Sequence, residues 1–459
     1  MPRAPMPAAD LRSHRHYIDS CIAQAQERLG HCATMAEVAS QEPLVNRYPR
    51  LQGLEEPRQV RVLAEDGHSS QRLARARAAV ARGEILFEHA AAGEGTRLML
   101  GPKYFLNPAQ EFTVARIAHL LSVEVGEVVL PETLAGQLEC PPQDLLPLAL
   151  GTRHLLPLAF DLSNLARHLG ESPREVRGRQ HLLLVIAAEM LAHIEKEFYQ
   201  WHFFGFDPGQ VFFMVQEAFH GLNLQAGKFF YDGKSPRRLH NHGQMVMQQT
   251  MDRQLFTLTG EHPREKTYHP QGAVGDWLKR FTNKISYNIE DLDYLTGSLD
   301  LAGLGLALEL GNQGHHMVME VVANNPLRPQ KGGMLAWDPE LGRDVMIESF
   351  RLGEIQNQDI KYLNRNFNHY PRPWVSWDRV VDLGLPMPMA VKDGFLYFQP
   401  VQGDINFLVD TAFFRRLEMR PIRNLKSPAT LPLAVNRMSA QDRQPGFREF
   451  VRHCREGSL

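Results

Sequence analysis

Short apolar runs recur along this chain, separated by longer stretches of helical periodicity. That alternation constrains the fold more than any other feature. Residues 84–87, Glu-Ile-Leu-Phe, lead into a Gly-containing turn, as a buried strand does. Further strand-like runs lie at 182–187, 211–215, 285–289, 317–322 and 345–347. Strands spaced by helices predict an open α/β sheet, and in such sheets ligands bind beyond the carboxyl ends of the strands. Residues 10–80 read as helices, with apolar positions recurring through Tyr17, Cys21, Ala25 and Leu29 and Ala and Arg dominating 71–82. The expected organisation is an N-terminal helical region at 1–80, a main α/β region at 81–412 and a C-terminal segment at 413–459. A Leu- and Pro-rich helical insertion is expected at about 107–160, with Cys140-Pro141-Pro142 as a breaker.

Charge and cysteine usage narrow the class. The formal net charge of the 459 residues is −2, so no global basic field invites nucleic acid or an anionic membrane. A local basic cleft stays open. The four cysteines, Cys21, Cys32, Cys140 and Cys454, form no Cys-x-x-Cys pair and read as reduced thiols, not a disulfide framework or zinc site. The first residues show no secretory h-region. The most apolar stretch, around 182–194, contains Glu189 and His193 and is too short to span a bilayer. A cytoplasmic protein is expected.

The strongest local signal follows the first strand: Ala91-Ala92-Gly93-Glu94-Gly95-Thr96-Arg97-Leu98-Met99-Leu100-Gly101-Pro102-Lys103. Glycines let the backbone approach a phosphate closely, and successive N–H groups there form an anion-binding concavity. Arg97 and Lys103 add fixed positive charge. Read alone, Gly-x-Gly is more often a surface turn with two incidental cations. The spacing is neither a Walker A loop nor the Gly-x-Gly-x-x-Gly dinucleotide fingerprint. It does resemble the Gly-x-Gly-Thr-Arg-Leu then Pro-Lys signature of sugar-nucleotide pyrophosphorylases, most of all the eukaryotic-type UDP-sugar pyrophosphorylases. Two departures stand out: the family usually has Gly at the position of Ala92, and the stretch to Lys103 is one residue shorter.

Further segments resemble the same family in the same order. Phe203-Phe204-Gly205-Phe206-Asp207-Pro208-Gly209-Gln210-Val211-Phe212-Phe213-Met214-Val215-Gln216 is similar to its "FFG-D-P-QV-FF-Q" segment, which places Gln216 near the uracil. A primary amide has both donor and acceptor for a pyrimidine edge. His240-Asn241-His242-Gly243-Gln244 resembles the Gly-His-Gly-Asp loop against uridine and sugar, with Asn241 and Gln244 replacing Gly and Asp. Ser286-Tyr287-Asn288-Ile289-Glu290-Asp291 resembles the strand end that binds magnesium, with Glu290 at the metal position and Asp291 beside it. Met319-Glu320-Val321 and Lys331-Gly332-Gly333 resemble "MEV" and "KGG". Glu348 matches the acidic residue on the hexose, and Asn364-Arg365-Asn366 an Asn-x-Asn segment. Met419-Arg420-Pro421-Ile422-Arg423-Asn424-Leu425-Lys426 resembles the segment whose Lys grips the sugar phosphate. One departure adds a charge: Ala187-Ala188-Glu189 stands where the family has Met-Thr-Ser.

The resemblance implies a Rossmann-like mixed central sheet flanked by helices, a nucleotidyltransferase fold of the GT-A-like kind, in residues 81–412. It implies a uridylyltransferase joining UTP to a hexose 1-phosphate, most simply glucose 1-phosphate, with Mg2+ as cofactor. Ala92, Gly93, Gly95, Thr96, Gln216 and Gly243 would bind the nucleotide. His242, Gly333, Glu348, Asn364 and Asn366 would bind the sugar. Arg97, Lys103 and Lys426 would act on the phosphates, and Glu290 and Asp291 would hold the metal. The expected partners are these two substrates, with the protein a monomer or small homo-oligomer. The alternatives are the same reaction on an N-acetylhexosamine 1-phosphate, or a silent UDP-sugar-binding relative.

Overall fold

A computed structural model of the chain describes residues 13–63, 70–93, 101–259, 265–289, 299–327, 329–417 and 428–459, the side chain of Asn366 excepted. Gly95, Thr96, Arg97, Glu290, Asp291 and Lys426 lie outside the described residues, as does the side chain of Asn366.

The apolar runs build one 12-stranded sheet. In chain order its strands are β1 (Val60–Leu63), β2 (Ile85–Ala90), β3 (His181–Ala187), β4 (Val211–Gln216), β5 (Leu255–Leu258), β6 (Lys266–Tyr268), β7 (Asn283–Asn288), β8 (Met317–Ala323), β9 (Met334–Asp338), β10 (Arg343–Ile347), β11 (Tyr362–Pro371) and β12 (Thr411–Arg416). The spatial order is β1-β12-β8-β11-β7-β2-β3-β4-β5-β6, with β9 paired to both β10 and β11. The centre, β7-β2-β3-β4, is parallel, and antiparallel pairing begins on both sides of it, at β11 and at β5. This is the expected mixed α/β sheet.

Strands β3 and β4 are buried on both faces, which is why they read as nearly continuous apolar runs. Side chains alternate. Leu182, Leu184 and Ile186 of β3 enter one core with helices α4 (Val114–Val125) and α5 (Leu150–Leu169) of the insertion, α7 (Leu301–Asn312) and the C-terminal helices α8 (Leu431–Asp442) and α9 (Phe447–Glu456). Leu183 and Val185 enter the other, with α1 (His14–Leu29) and α6 (His242–Gln249). The buried face of α1 is Tyr17, Cys21, Ala25 and Leu29, the spacing read from the sequence.

Helices therefore account for most of residues 10–80, through α1, α2 (Met35–Asn46) and α3 (Ser70–Ala81), but not for Val60–Leu63. That segment is strand β1, laid parallel to β12 at the sheet edge. It is short and largely solvent-facing, so it carries no apolar run to announce it. Arg153 of α5 and Asp442 of α8 form a buried two-pronged ion pair (2.9 and 3.0 Å) that fixes the C-terminal helices onto the insertion. All four cysteines are free, and no described helix is long and apolar enough to cross a membrane.

Candidate active site

The parallel strands β2, β4 and β7 end at the same edge of the sheet, and the sequence motifs follow those ends. After β2, the Ala91 N–H donates to the Val185 carbonyl of β3 (2.8 Å), and Ala91 and Ala92 are buried. Gly93 comes next, and its carbonyl accepts from the Lys103 N–H (3.2 Å), closing the glycine loop at its base. Among the described residues, a Cβ at Gly93 would meet nothing within 4 Å. Lys103 begins a single helical turn, Lys103–Phe105, backed by α5 through the Leu150 N–H bond to the Leu106 carbonyl (2.8 Å).

At the end of β4, Gln216 is buried and its Nε2 donates to the main-chain carbonyl of Asn241 (2.9 Å). Asn241 has φ 66° and ψ 178°, a backbone region essentially reserved for glycine. This accounts for glycine at that place in the family pattern. The Asn241 side chain accepts from the His242 N–H (2.9 Å) and so caps α6. Gln244, where the pattern has Asp, accepts from the His240 N–H (2.7 Å) and donates to the Glu217 carbonyl (2.6 Å), bracing the loop against β4. Gly243 has a packing reason: its Cβ would fall 2.3 Å from the Pro400 carbonyl carbon. His242 Nδ1 accepts from the Gln402 N–H (3.3 Å), joining this loop to the segment 400–404. Beyond β3, Ala188 and Glu189 are exposed.

The sugar-side residues also meet. Asn364 N–H donates to the Gly333 carbonyl (3.0 Å), and Asn364 Nδ2 donates to Glu348 Oε1 (3.1 Å). A Cβ at Gly333 would sit 3.4 Å from Glu348 Oε2, and one at Gly403 would sit 3.1 Å from Glu348 Oε1 and 3.6 Å from Asn364 Nδ2. Behind Gly403, buried Asp404 pairs with Arg351 (2.5 Å). Burial pushes the Asp404 carboxyl up to about 7, with the Arg351 charge opposing and the Glu348 charge adding to the rise.

A pocket joins the two sides, lined by Ala90, His242, Ser286, Asn288, Gln402 and Gly403. It reaches the last residue of β2, the first of α6, the last of β7 and the sugar-side wall. Asn288 precedes Glu290 by two residues in sequence; Glu290 and Asp291, the candidate metal carboxylates, lie outside the described residues. Their hard oxygens suit Mg2+. The described residues contain no cluster of three metal-ligating side chains. After Lys426 the described chain resumes at residue 428, where the Ala429 N–H donates to Glu124 of α4 (2.9 Å).

Gln402, Gly403 and Ser286 line the pocket and Glu88 lies beneath it, and none of the four was expected from the sequence as a site residue. Gln402 and Gly403 belong to no motif. Glu88 did leave a signal: a carboxylate continuing the apolar run of β2.

No family model matches the chain, and no curated protein matches it. Solved structures do. The UDP-N-acetylglucosamine pyrophosphorylase of Trypanosoma brucei, in complex with an inhibitor, aligns over 93% of this chain and 80% of its own at 14% identity, TM-score 0.57. A UDP-glucose pyrophosphorylase variant from Leishmania major aligns over 90% and 78% at 12% identity, TM-score 0.53. A second Leishmania major variant aligns over 92% and 77% at 12% identity, TM-score 0.51. The chain shares the fold of these enzymes.

Proposed function

We propose that the chain is a uridylyltransferase that makes a UDP-sugar and pyrophosphate from UTP and a hexose 1-phosphate, most simply glucose 1-phosphate. One observation carries the reading. Residues matched separately to one family pattern are linked by a run of contacts, in part through the segment 402–403: Gln216 touches Asn241, His242 touches Gln402, and Gly403 lies against Glu348 and Asn364. The shared fold supports it.

The sugar 1-phosphate oxygen attacks the α-phosphorus of UTP in line, a new P–O bond forms, and pyrophosphate leaves. The attacking phosphate is already ionised, so no general base is required. Catalysis is positioning and charge neutralisation. Ala92, Gly93, Gly95, Thr96 and Arg97 cradle the triphosphate, and Lys103 supports the leaving pyrophosphate. Gln216 and the loop at Gly243 receive the uracil, through main-chain groups or a reoriented amide. His242, Gly333, Glu348, Asn364 and Asn366 hold the hexose. Lys426 holds its phosphate against the repulsion of UTP. Glu290 or Asp291 would hold Mg2+, which supplies charge neutralisation at the phosphates when bound.

The second reading keeps the reaction and changes the sugar to an N-acetylhexosamine. The Phe203-Phe204-Gly205 and Asp207-Pro208 segment favours it. Pyrophosphate release from UTP with a panel of sugar 1-phosphates tests both. Binding of UDP-sugar without turnover would favour a silent relative, which the altered positions Ala188, Glu189, Asn241 and Gln244 would suit.

A further inference from the structure

Glu88 sits on central strand β2 with its side chain fully buried. Its Oε2 accepts from Gln249 Nε2 (2.7 Å) and Lys284 Nζ (3.0 Å), and its Oε1 from Ser286 Oγ (2.7 Å) and Gln402 Nε2 (3.4 Å). An ionised carboxylate offers about four acceptor sites, and these donors fill them. Gln402 Nε2 also donates to Ser286 Oγ (2.9 Å), and the Lys284 ammonium lies 4.7 Å from the centroid of the Tyr370 ring. The donors come from β7, from the last turn of α6 and from the pocket wall at 402. Each of those segments carries a site residue: Asn288, His242 and Gly403.

A buried ion pair is a poor source of stability, because well-packed apolar residues hold a sheet together at less cost in desolvation. What such a pair provides is directional geometry. Here the geometry converges on Gln402 and Ser286, the two donors that line the pocket. We propose that Glu88, with Lys284 as its counter-charge, is a positioning residue that fixes the sugar-side wall, Gln402–Gly403, against the carboxyl ends of β2 and β7. The inference rests on the functional reading above and deepens it. Glu88 touches no substrate. It acts through Gln402, whose neighbour Gly403 sets the space beside Glu348 and Asn364.

The test uses the full chain and three variants: Glu88→Gln, Gln402→Leu, and the double variant Glu88→Gln/Lys284→Met. Glu88→Gln keeps the shape but turns an amide donor toward groups that themselves donate. The expected result is a KM for the sugar 1-phosphate raised roughly tenfold, with the KM for UTP changed less than about threefold. The double variant removes both charges and should recover thermal stability while the sugar KM stays raised. A sugar KM that returns to the wild-type value together with the Tm would make Glu88 merely structural and overturn the inference. So would an unchanged sugar KM in Gln402→Leu. If the wild type releases no pyrophosphate with any sugar phosphate, the functional reading fails. The same variants are then titrated calorimetrically with UDP-glucose and UDP-N-acetylglucosamine. Binding weakened roughly tenfold upholds the positioning role. Unchanged binding, or no binding by the wild type, overturns it as well.

Discussion

Gln216 Nε2 donates to the main-chain carbonyl of Asn241 at 2.9 Å, tying the end of β4 to a loop whose backbone adopts a conformation normally left to glycine. The bond helps hold Asn241 in place, and the strain there costs on the order of 1–3 kcal/mol. Asn241→Gly removes the strain but also the Asn241 cap on the His242 N–H, and should leave stability equal to or above wild type. Asn241→Ala keeps the strain and loses the cap. It should lower stability by about 1–3 kcal/mol, measured by urea unfolding. Equal stabilities for the two variants would remove this account of the loop.

Gly403→Ala places a methyl group 3.1 Å from Glu348 Oε1. The sugar wall must move or Glu348 must turn. The expected result is a KM for the sugar 1-phosphate raised about tenfold or more, on the order of 1.4 kcal/mol, with UTP binding retained. Separate titration of each substrate in the pyrophosphate-release assay checks it. Equal effects on both substrates would count against a sugar-side wall at 403.

Buried histidines set the acid limit. Burial pushes His89 and His240 down to about 3, with His154 lowering His89 further and Lys392 lowering His240. Burial likewise holds His154 and His369 down to about 4. These groups bind protons in the unfolded chain near pH 6.5 and not in the folded one. Their contribution is present above that pH and is lost as the pH falls through 6.5 toward 4, on the order of 1–2 kcal/mol per group at pH 5. His89→Leu should flatten the decline in urea-unfolding stability between pH 7 and pH 5. An identical decline in wild type and variant would contradict the assignment.

Asp404 works in the opposite direction. Its folded carboxyl is held at about 7, above the ordinary 3.8, so its contribution is fully present below the ordinary value and is lost as the pH rises through 7. Asp404→Asn should therefore compare more favourably with wild type at pH 8 than at pH 5.5, by roughly 1–2 kcal/mol. A difference of stability that does not vary with pH would refute the raised value.

Lys103→Ala and Lys426→Ala should each lower kcat/KM by tenfold or more, about 1.4 kcal/mol or above. Steady-state kinetics at saturating and limiting sugar 1-phosphate would measure this. Unchanged turnover in either variant would remove that lysine from the phosphate chemistry.

Strands β3 and β4 were legible because burial on both faces leaves nearly uninterrupted apolar runs. Strand β11 was not. It carries Asn364, Asn368 and His369, all buried, so its polar residues conceal a central strand as an irregular segment. Those residues are polar because Asn364 braces Glu348, Asn368 stands opposite Ser286 in the ladder, and His369 bonds Asn283. β12 shares the difficulty: Arg416 at its end binds Asp300 and Glu320. In the site, residues inside motifs could be read one by one. Gln402 and Gly403 could not, because their role comes from where the chain returns to the sheet and not from their neighbours in sequence.

The most direct measurement of the central claim runs the reaction backward. UDP-glucose or UDP-N-acetylglucosamine, incubated with pyrophosphate, Mg2+ and the purified chain, should yield UTP and the sugar 1-phosphate in equal amounts. Neither product should form when pyrophosphate is left out. Hydrolysis of the UDP-sugar to UMP, or binding with no UTP formed from either sugar nucleotide, would contradict it.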